Sequence, residues 1–582
     1  MSTNDMTILI GGDAGQGLDS SGAGFCKALA RSGLHVFSVQ NNRSRIRGGH
    51  NFYVIKTSEQ PIKSWTEPMQ LLVALTEESI DIHQSKLVSG GAIIFDSAMK
   101  VDRAKLQQKQ IKPIEVPLIK IAQDSGGSKV MSNTAALGAV AGLTGFPIEY
   151  IFSVIKDNFK KKGDKVVETN SKVAQAACDF VYANYKGEFD WKLKNVQAPP
   201  KMVINGNHAI ALGALVGGCN FTSAYPMTPG TSIFEWLTGQ ADKYGIVSKQ
   251  MEDEISAICA AIGAAHMGAR AIVPTSGGGF ALMVEALGLA AMTETPVVIV
   301  IAQRPGPSTG LATRTEQADL LFAAYASQGE FPRIILAPGD TKQCFEAGAR
   351  AFNLAEKYQT PVIIMTDEFL ATSNRTIEKD ALDFGTVKID RGKLLSDEEL
   401  DRFEGEYKRH IYTEDGISPR ALPGHPKGIW TTTSDEHNEA GEIVEEADVR
   451  IKMHEKRMKK IETASVDMSG PILHGPKQAD ISFICWGSTL AALREAIDVL
   501  NKDKKDKANI IQFIDLLPLN VEKTRSVLEK AGKLIAVEGN FTGQLAVLLK
   551  TTMKIEFAGK ILKYDGRPFS PEYILNKLKE VD

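Results

Sequence analysis

The chain lacks clustered cysteines and long apolar runs, and each absence excludes a class of protein. Its six cysteines are scattered, and no two form a Cys-x-x-Cys pair. The sequence therefore predicts free thiols in a reducing compartment and argues against an iron–sulfur cluster or structural zinc held by this chain alone. No apolar run reaches the roughly 18 residues of a membrane span. No signal-peptide pattern precedes the first strand, so the expected location is the cytoplasm.

The chain also lacks an excess of either positive or negative charge. The formal net charge is −3, from 67 lysines and arginines against 70 aspartates and glutamates, so nothing favours nucleic acid as a partner. Hydrophobic residues make up 43% of the chain, which is typical of a soluble globular protein. At roughly 150 residues per domain, the 582 residues predict about three or four domains.

Buried strands alternate with helical stretches along most of the chain, a pattern typical of doubly wound α/β domains. One unit covers residues 1–190, and a proline pair in GEFDWKLKNVQAPPKM predicts a linker after it. A second unit covers 200–374 and a last one 479–582. Residues 375–478 are charged and have few apolar runs, which predicts an extended connector that wraps another surface.

A glycine-rich loop follows the first strand. Three of its glycines lead into a helix, where backbone N–H groups and the helix dipole can hold an anion: Gly11, Gly15 and Gly17. No Gly-Lys-Ser/Thr follows, and Ser20 replaces the last glycine of Gly-x-Gly-x-x-Gly, which disfavours a nucleotide triphosphate or nicotinamide. Three arginines lie downstream: Arg43, Arg45 and Arg47. Arginine forks suit phosphates, so the two loops fit a phosphorylated ligand such as coenzyme A. A tight turn beside a solvated basic loop is the alternative.

The most informative segment is residues 221–256. A loop stiffened by prolines carries Tyr225 and Pro226, and further on Glu254 opens a helix of small residues. A rigid loop beside such a carboxylate suits a pocket that grips one face of a flat cofactor. In thiamine diphosphate chemistry a buried carboxylate bonds the aminopyrimidine N1′ and supports acid–base catalysis.

Two neighbours of Glu254 compete for this role. Glu252 and Asp253 are also acidic, and a helix N-terminus that simply attracts acidic residues would explain all three. The sequence alone therefore leaves the choice open.

Two arginines lie in a later loop. Arg304 follows the carboxyl end of a buried strand, where open α/β sheets place their ligands, and it suits a 2-oxoacid carboxylate. Thr228 can donate to the same carboxylate or carbonyl, and Arg314 can pair with a second carboxylate. A well-packed turn at Thr228, and structural ion pairs from the arginines to Glu316 or Asp319, stay open as alternatives.

These segments resemble the α-type chain of the 2-oxoacid:ferredoxin oxidoreductases, in the version with the γ domain fused in front. The matching motifs cover essentially the whole length: GGDAGQG, RGGHNFYV, AYPMTPGTS, EDEISAICAAIGA, SGGGFALMVEALG, QRPGPSTGLATRTEQADL, EDGISPRALPG, DEHNEAG, VEGNFTGQLA and DGRPFSPEYI. The connector and the TGLATRTEQADL loop are most similar to the 2-oxoglutarate type, which makes or cleaves succinyl-coenzyme A.

The resemblance implies a role for each unit and each candidate residue. Residues 1–190 would be a γ-type domain facing coenzyme A, 200–374 a pyrimidine-type thiamine diphosphate domain, and 479–582 a transketolase C-terminal-like domain. Glu254 would pair with the aminopyrimidine, and Tyr225 and Pro226 would contact that ring. Three further residues would bind substrate, the first two at the 2-oxoacid headgroup and the third at a distal carboxylate: Thr228, Arg304 and Arg314.

The resemblance also implies a partner chain. In thiamine enzymes the diphosphate–Mg²⁺ site usually opens with Gly-Asp-Gly, which this sequence lacks. A β-type partner is therefore expected to carry that site and a [4Fe–4S] cluster, within an (αβ)₂ assembly that delivers electrons to ferredoxin. The expected reaction is oxidative decarboxylation of 2-oxoglutarate to succinyl-coenzyme A and CO₂, which low-potential ferredoxin can reverse as carboxylation.

Three alternatives stay open. The same chemistry can act on pyruvate or a branched-chain 2-oxoacid. From another class, the chain can be a non-catalytic scaffold that binds coenzyme A or a nucleotide, an idea that a single cleft holding Thr228, Glu254 and Arg304 would disfavour. A transketolase-like enzyme complete in one chain is disfavoured by the absent Gly-Asp-Gly motif.

Overall fold

The structure, a computed structural model, describes residues 3–43, 49–199, 201–504 and 506–581. The chain divides into two compact units. The first consists of Met1–Asn205, Thr372–Ala381 and Ser570–Glu572, and the second of Gly206–Ala371, Leu382–Phe569 and Tyr573–Asp582.

The first unit is a mixed sheet packed with helices. The strands within its segment Met1–Asn205 are β1 (Met6–Asp13), β2 (His35–Asn41), β3 (His50–Ser58), β4 (Met69–Ala74), β5 (Leu87–Asp96), β6 (Lys112–Val116) and β7 (Met202–Ile204). Its helices are α1 (Leu18–Arg31), α2 (Glu77–His83), α3 (Arg103–Gln108), α4 (Leu118–Asp124), α5 (Ser132–Thr144), α6 (Glu149–Phe159) and α7 (Asp164–Tyr185). Small residues let α5 lie directly on α7: a methyl group added at Gly138 would be 2.0 Å from the carbonyl oxygen of Ala174.

The second unit begins with a parallel sheet. Its helices are α8 (Gly206–Val216), α9 (Thr231–Thr238), α10 (Ala241–Tyr244), α11 (Glu254–His266), α12 (Gly277–Met292), α13 (Leu320–Tyr325), α14 (Thr341–Tyr358) and α15 (Glu368–Thr372). Its strands are β8 (Phe221–Ala224), β9 (Val247–Gln250), β10 (Ala271–Thr275), β11 (Val297–Gln303), β12 (Ile334–Leu336) and β13 (Pro361–Asp367). Strands β11 and β13 are buried along their whole length, as expected where helices cover both faces of a parallel sheet.

The chain then returns to the first unit through β14 (Asn374–Ile377), which pairs with β2 and β7. Within the described residues the first sheet has the strand order β6-β5-β4-β1-β3-β2-β14-β7. Its outermost strands on one side therefore come from outside residues 1–190: β7 lies in the predicted second domain, and β14 begins at the last residue of that domain and continues into the predicted connector.

The remaining elements belong to the connector and the C-terminal region. They are α16 (Asp397–Asp401), α17 (Ala447–Asp467), β15 (Ile472–His474), β16 (Ile481–Trp486), α18 (Thr489–Asp503), β17 (Ala508–Phe513), β18 (Asp515–Leu517), α19 (Val521–Leu528), β19 (Lys533–Glu538), α20 (Gln544–Met553), β20 (Gly559–Leu562) and α21 (Pro571–Leu578). Strand β18 joins the second sheet, whose order is β18-β12-β13-β11-β10-β8-β9, and the third sheet runs β15-β17-β16-β19-β20.

The expected fold class is confirmed: the protein is α/β, and its sheets contain parallel strands connected through helices. Among the described residues, no helix combines the length and the apolar character needed to cross a membrane.

Candidate active site

The candidate residues of the second unit follow the carboxyl ends of parallel strands. Tyr225 follows β8 and Arg304 follows β11, while Glu254 comes shortly after β9; Ser276, which the sequence did not single out, follows β10. Because these strands run in the same direction, the segments that follow them gather at one edge of the sheet. The topology therefore brings together stretches that are far apart in the sequence.

The proline loop is held in place by an amide side chain on α8. Asn207 is fully buried, and its Nδ2 donates to the carbonyl of Pro229 at 2.7 Å and to Ser232 Oγ at 2.9 Å. Gly230 lies so close to β10 that an added methyl group would be 2.5 Å from the carbonyl oxygen of Thr275. Tyr225 and Pro226 remain exposed on this anchored loop, Tyr225 at 40%.

The structure separates the three neighbouring acidic residues. Glu252 is exposed, and Asp253 caps α11, since its carboxylate accepts the backbone N–H of Ser256 at 2.7 Å. Glu254 is the first residue of the helix and only 3% exposed. A buried carboxylate at this position is stabilised by the positive end of the helix dipole. Burial and position therefore single out Glu254.

Several buried polar atoms around the start of α12 make no hydrogen bond within the described part of the chain: Glu254 Oε1, Thr275 Oγ1, Ser276 Oγ and Asp319 Oδ2. A methyl group added at Gly279 would lie 2.2 Å from Thr275 Oγ1 and 2.8 Å from Glu254 Oε1. Buried polar groups are usually hydrogen-bonded, so this cluster has the character of a site that a ligand completes.

Thr228 and Arg304 are in direct contact. Nη1 of Arg304 donates to the carbonyl oxygen of Thr228 at 2.7 Å, which leaves the Thr228 side chain on the exposed side of the loop. A methyl group added at Gly278 would be 3.9 Å from both Met227 Sδ and the carbonyl oxygen of Ser308. The proline loop and the loop after Arg304 therefore both lie on the first turn of α12, beside Glu254.

Two carboxyl groups on the following loop have raised pKa values, and one of them, Asp319, interacts with Arg304. Burial raises the pKa of Asp319 to about 6, against the opposing charge of Arg304. Burial also raises the pKa of Glu316 to about 7, and the neighbouring charge of Asp319 adds to the shift. Sequence reasoning considered both residues only as structural partners of the arginines. Their position in the TRTEQADL motif was a visible signal, but the shifts depend on burial that the motif does not reveal.

Arg314 lies elsewhere on the same loop. Its Nη1 donates to the carbonyl of Thr313 at 2.9 Å, and its Cβ would be 3.2 Å from a methyl group added at Gly566. Its role at a distal substrate carboxylate stays a prediction.

The glycine-rich loop belongs to the first unit. Gly11 lies inside β1, opposite Phe52 of β3, whereas Gly15 and Gly17 lie beyond the strand with positive φ of 93° and 73°. Glycine adopts such angles more readily than other residues, and Gly17 is the N-cap of α1. A cavity of about 270 Å³ beside the loop is lined by Gly15, Gln16, Asp96, Lys129 and other residues.

Arg43 lies near this loop. A methyl group added at Gly49 would be 2.9 Å from Arg43 Cδ, and the carbonyl of Gly49 accepts the N–H of Ala14 at 3.2 Å. Arg43 Nη2 is 3.6 Å from Glu78 Oε1. Arg45 and Arg47 lie outside the described residues.

Known proteins resemble this chain over most of its length. Residues 212–456 match the family model described as pyruvate flavodoxin/ferredoxin oxidoreductase, thiamine diphosphate-binding, and residues 7–180 match that of pyruvate ferredoxin/flavodoxin oxidoreductase. The chain is thus of the class of flavodoxin- or ferredoxin-linked oxidoreductases.

Individual relatives narrow this class. The α subunit of a 2-oxoacid:ferredoxin oxidoreductase from Sulfolobus sp. is 34% identical over 97% of this chain and 95% of its own. A 2-oxoglutarate oxidoreductase subunit KorA from Mycobacterium tuberculosis is 27% identical over 94% and 87%. A chain of the 2-oxoglutarate:ferredoxin oxidoreductase from Magnetococcus marinus, solved with 2-oxoglutarate, coenzyme A and succinyl-CoA bound, superposes with a TM-score of 0.91 at 32% identity, covering 99% of both. This chain belongs to the 2-oxoacid:ferredoxin oxidoreductase family, among its α subunits.

Proposed function

We propose that this α subunit serves a 2-oxoglutarate:ferredoxin oxidoreductase, which converts 2-oxoglutarate and coenzyme A to succinyl-coenzyme A and CO₂ and passes two electrons singly to ferredoxin. The buried Glu254 carboxylate, with one oxygen lacking a hydrogen-bond partner among the described residues, carries the proposal. The choice of 2-oxoglutarate is supported by the TGLATRTEQADL loop and by similarity to the Magnetococcus marinus chain.

The residues of the cleft fit thiamine diphosphate. When bound, this cofactor supplies the nucleophilic carbon and electron sink that decarboxylation of a 2-oxoacid requires. Glu254 would hydrogen-bond the pyrimidine ring nitrogen through Oε1, and the exposed Tyr225 and Pro226 would contact the ring. Thr228 and Arg304 would bind the 2-oxoacid headgroup through a hydroxyl and a guanidinium group.

The catalytic centre is proposed to require a β-type partner that carries the diphosphate–Mg²⁺ site and a [4Fe–4S] cluster. Support comes from exposed apolar side chains on α11, which Glu254 opens, and on its neighbour α12. Ile255 on α11 is 50% exposed and Leu282 on α12 is 51% exposed, and these helices pack on one another. Met267, just after α11, is 61% exposed. Exposed apolar surface of this kind is typical of protein–protein contacts.

The glycine-rich loop of the first unit is proposed to contact coenzyme A. Gly15 and Gly17 present backbone at the N-terminus of α1, a position that favours phosphate groups. Arg43 lies close to the same loop and supplies a cation.

The function is tested with the chain assembled with its β-type partner. We expect viologen reduction that depends on both 2-oxoglutarate and coenzyme A and yields succinyl-coenzyme A, with kcat/KM higher for 2-oxoglutarate than for pyruvate or a branched-chain 2-oxoacid. A preference for pyruvate would overturn the choice of substrate. Reduction by none of these acids would overturn the enzymatic proposal and favour a scaffold.

Replacing Arg314 with methionine tests the distal-carboxylate role. We expect kcat/KM for 2-oxoglutarate to fall by about 10- to 100-fold, because a charge-assisted hydrogen bond is worth roughly 1.5–3 kcal/mol. Pyruvate has no second carboxylate, so its kcat/KM should change less than about twofold. Arg314→Lys is the matched control, since it retains the charge and should lose less. Equal losses on both substrates would contradict the role.

The two titrating carboxylates predict a pH dependence. With pKa values of about 6 and about 7, Asp319 and Glu316 become charged as the pH rises, Asp319 near Arg304 and Glu316 near Asp319. An anionic substrate should then bind more weakly, so KM should rise by about threefold to tenfold from pH 5.5 to 8. Glu316→Gln should remove the step near pH 7. Glu346→Gln, which removes another carboxyl with a raised pKa on α14, should leave the profile unchanged.

A further inference from the structure

Carboxamide side chains fasten the loop of residues 311–320 to the C-terminal α/β region. Burial alternates along this loop, since Thr315 and Gln317 are buried while Arg314 and Glu316 are partly exposed. The residues proposed to act on substrate therefore share a chain segment with residues turned into the protein.

Gln317 makes four hydrogen bonds to the C-terminal region. Its backbone N–H donates to the carbonyl of Gly539 at 2.7 Å, and its Oε1 accepts the N–H of Gly539 at 2.8 Å. Its Nε2 donates to the carbonyl of Trp486 at 2.9 Å, and its own carbonyl accepts Nδ2 of Asn540 at 3.0 Å. A methyl group added at Gly487 would be 2.5 Å from Gln317 Nε2, so a glycine makes room for this side chain.

A second carboxamide holds the end of the loop. Gln544, the first residue of α20, donates from Nε2 to the carbonyl of Ala318 at 2.7 Å and accepts the N–H of Leu321 at 3.0 Å. Its own N–H is bonded to Oδ1 of Asn540 at 3.2 Å. The backbone on both sides of Asp319 is therefore fixed by α20.

The same segment is tied to the strand that precedes Arg304. The N–H of Asp319 donates to Oε1 of Gln303 at 3.0 Å, and Gln303 is buried at the end of β11. Asp319 also lies against the start of α12, where a methyl group added at Gly277 would be 2.4 Å from its Oδ2. Small movements of this backbone would therefore move the carboxylate that faces Arg304.

We propose that Gln317, Asn540 and Gln544 are positioning residues through which the C-terminal α/β region sets the affinity and selectivity of the 2-oxoacid site. They act through the loop that carries Arg314, Glu316 and Asp319. None of the hydrogen bonds described for them involves Glu254. The inference rests on the proposed function, because it takes this loop as a wall of the substrate site. A site held by such fixed polar contacts is preorganised, and loosening it should weaken substrate binding more than the chemical step.

Gln544→Ala in the assembled enzyme tests the proposal. Asn501→Ala is the matched control, because Asn501 is also a partly buried amide with two hydrogen bonds to backbone, both to Ala508. We expect Gln544→Ala to raise KM for 2-oxoglutarate about tenfold and to lower kcat by less than about twofold. The tenfold change in KM corresponds to the loss of roughly one strong or two weak hydrogen bonds. Asn501→Ala should leave both parameters near wild type.

Amide hydrogen exchange gives a second readout that needs no substrate. Exchange in residues 315–321 should accelerate in Gln544→Ala and stay at the wild-type rate in Asn501→Ala. Identical KM values and exchange rates in the two variants would overturn the proposal, as would a fall in kcat at unchanged KM. If wild-type enzyme prefers pyruvate, the KM test is run with pyruvate. If none of the 2-oxoacids supports dye reduction, the proposed function fails, and the hydrogen-exchange result still decides whether Gln544 holds the loop.

Discussion

Replacing Glu254 with glutamine should lower the rate of 2-oxoacid-dependent dye reduction by about 10²–10⁴-fold, the usual contribution of a positioned acid–base group. The glutamine amide has the size of the carboxylate but lacks the negative charge with which Glu254 would bond the pyrimidine ring. The measurement is steady-state viologen reduction by the chain assembled with its β-type partner, with 2-oxoglutarate and coenzyme A saturating.

The same substitution should not destabilise the chain. Glu254 is buried with one oxygen unpartnered among the described residues, and a buried charge costs more than a buried amide. We therefore expect Glu254→Gln to have an unfolding temperature equal to or above that of the wild type. Such an opposite change in stability and activity is typical of functional sites.

Glu252→Gln is the matched control, since Glu252 is the exposed acidic neighbour and should have a rate within about twofold of wild type. A Glu254→Gln rate within about threefold of wild type would exclude the proposed role. A large loss in both variants would instead point to the acidic cluster as a whole.

The general location of the cleft is predictable from the sequence. Arg304 follows a recognisable buried strand, and the rule that ligands lie at the carboxyl ends of parallel strands places it at a site. The structural difference among the three acidic residues was partly predictable too. Asp253 and Ser256 have the spacing of a capping box, which would have assigned Asp253 to the helix cap. The burial of Glu254 follows only from packing against α12.

Non-local contacts were beyond the sequence analysis. Strands β7 and β14 are short, and nothing in their composition reveals that β14 pairs with β7 on one side and with β2 on the other. The carboxamide contacts of Gln317 likewise join residues that are distant in sequence. Register and partner choice in such pairings depend on the whole packed structure, which periodicity in a single chain does not encode.

A buried ion cluster links the connector to the segment that follows α12. Glu294 is fully buried just after α12; it accepts a hydrogen bond from Lys456 Nζ at 2.6 Å and forms an ion pair with Lys460 Nζ at 2.5 Å. His410 Nδ1 lies 3.0 Å from the same carboxylate. Although burial alone would raise it, the two ammonium groups hold the pKa of Glu294 well below its usual range.

This cluster is better explained as a structural ion network than as a metal site. Ligand atoms of Glu294, His410 and His437 lie within 4.8 Å of one another, a spacing that a metal ion could use. Two ammonium groups already contact the carboxylate, however, and they would repel a cation. The network joins α17 of the connector to the segment between α12 and β11.

Glu294→Gln should therefore lower the free energy of unfolding of the second unit by about 3–5 kcal/mol, because it leaves two buried ammonium groups without their counter-charge. The measurement is denaturant unfolding, with hydrogen exchange in α17 to locate the loss. Glu462→Gln is the control: Glu462 pairs with Lys459 on the exposed side of the same helix, and its removal should have no measurable effect.

A triple replacement separates two explanations of that loss. If the network matters only because its charges must balance, Glu294→Leu with Lys456→Met and Lys460→Met should recover most of the stability, since apolar residues of similar size often replace buried ion pairs without cost. If its hydrogen bonds also hold the connector in register, the triple variant should remain destabilised, because Lys460 Nζ donates to the carbonyl of Gln359 at 3.1 Å as well. We expect partial recovery with faster exchange around Gln359, and full recovery would rule out the register role.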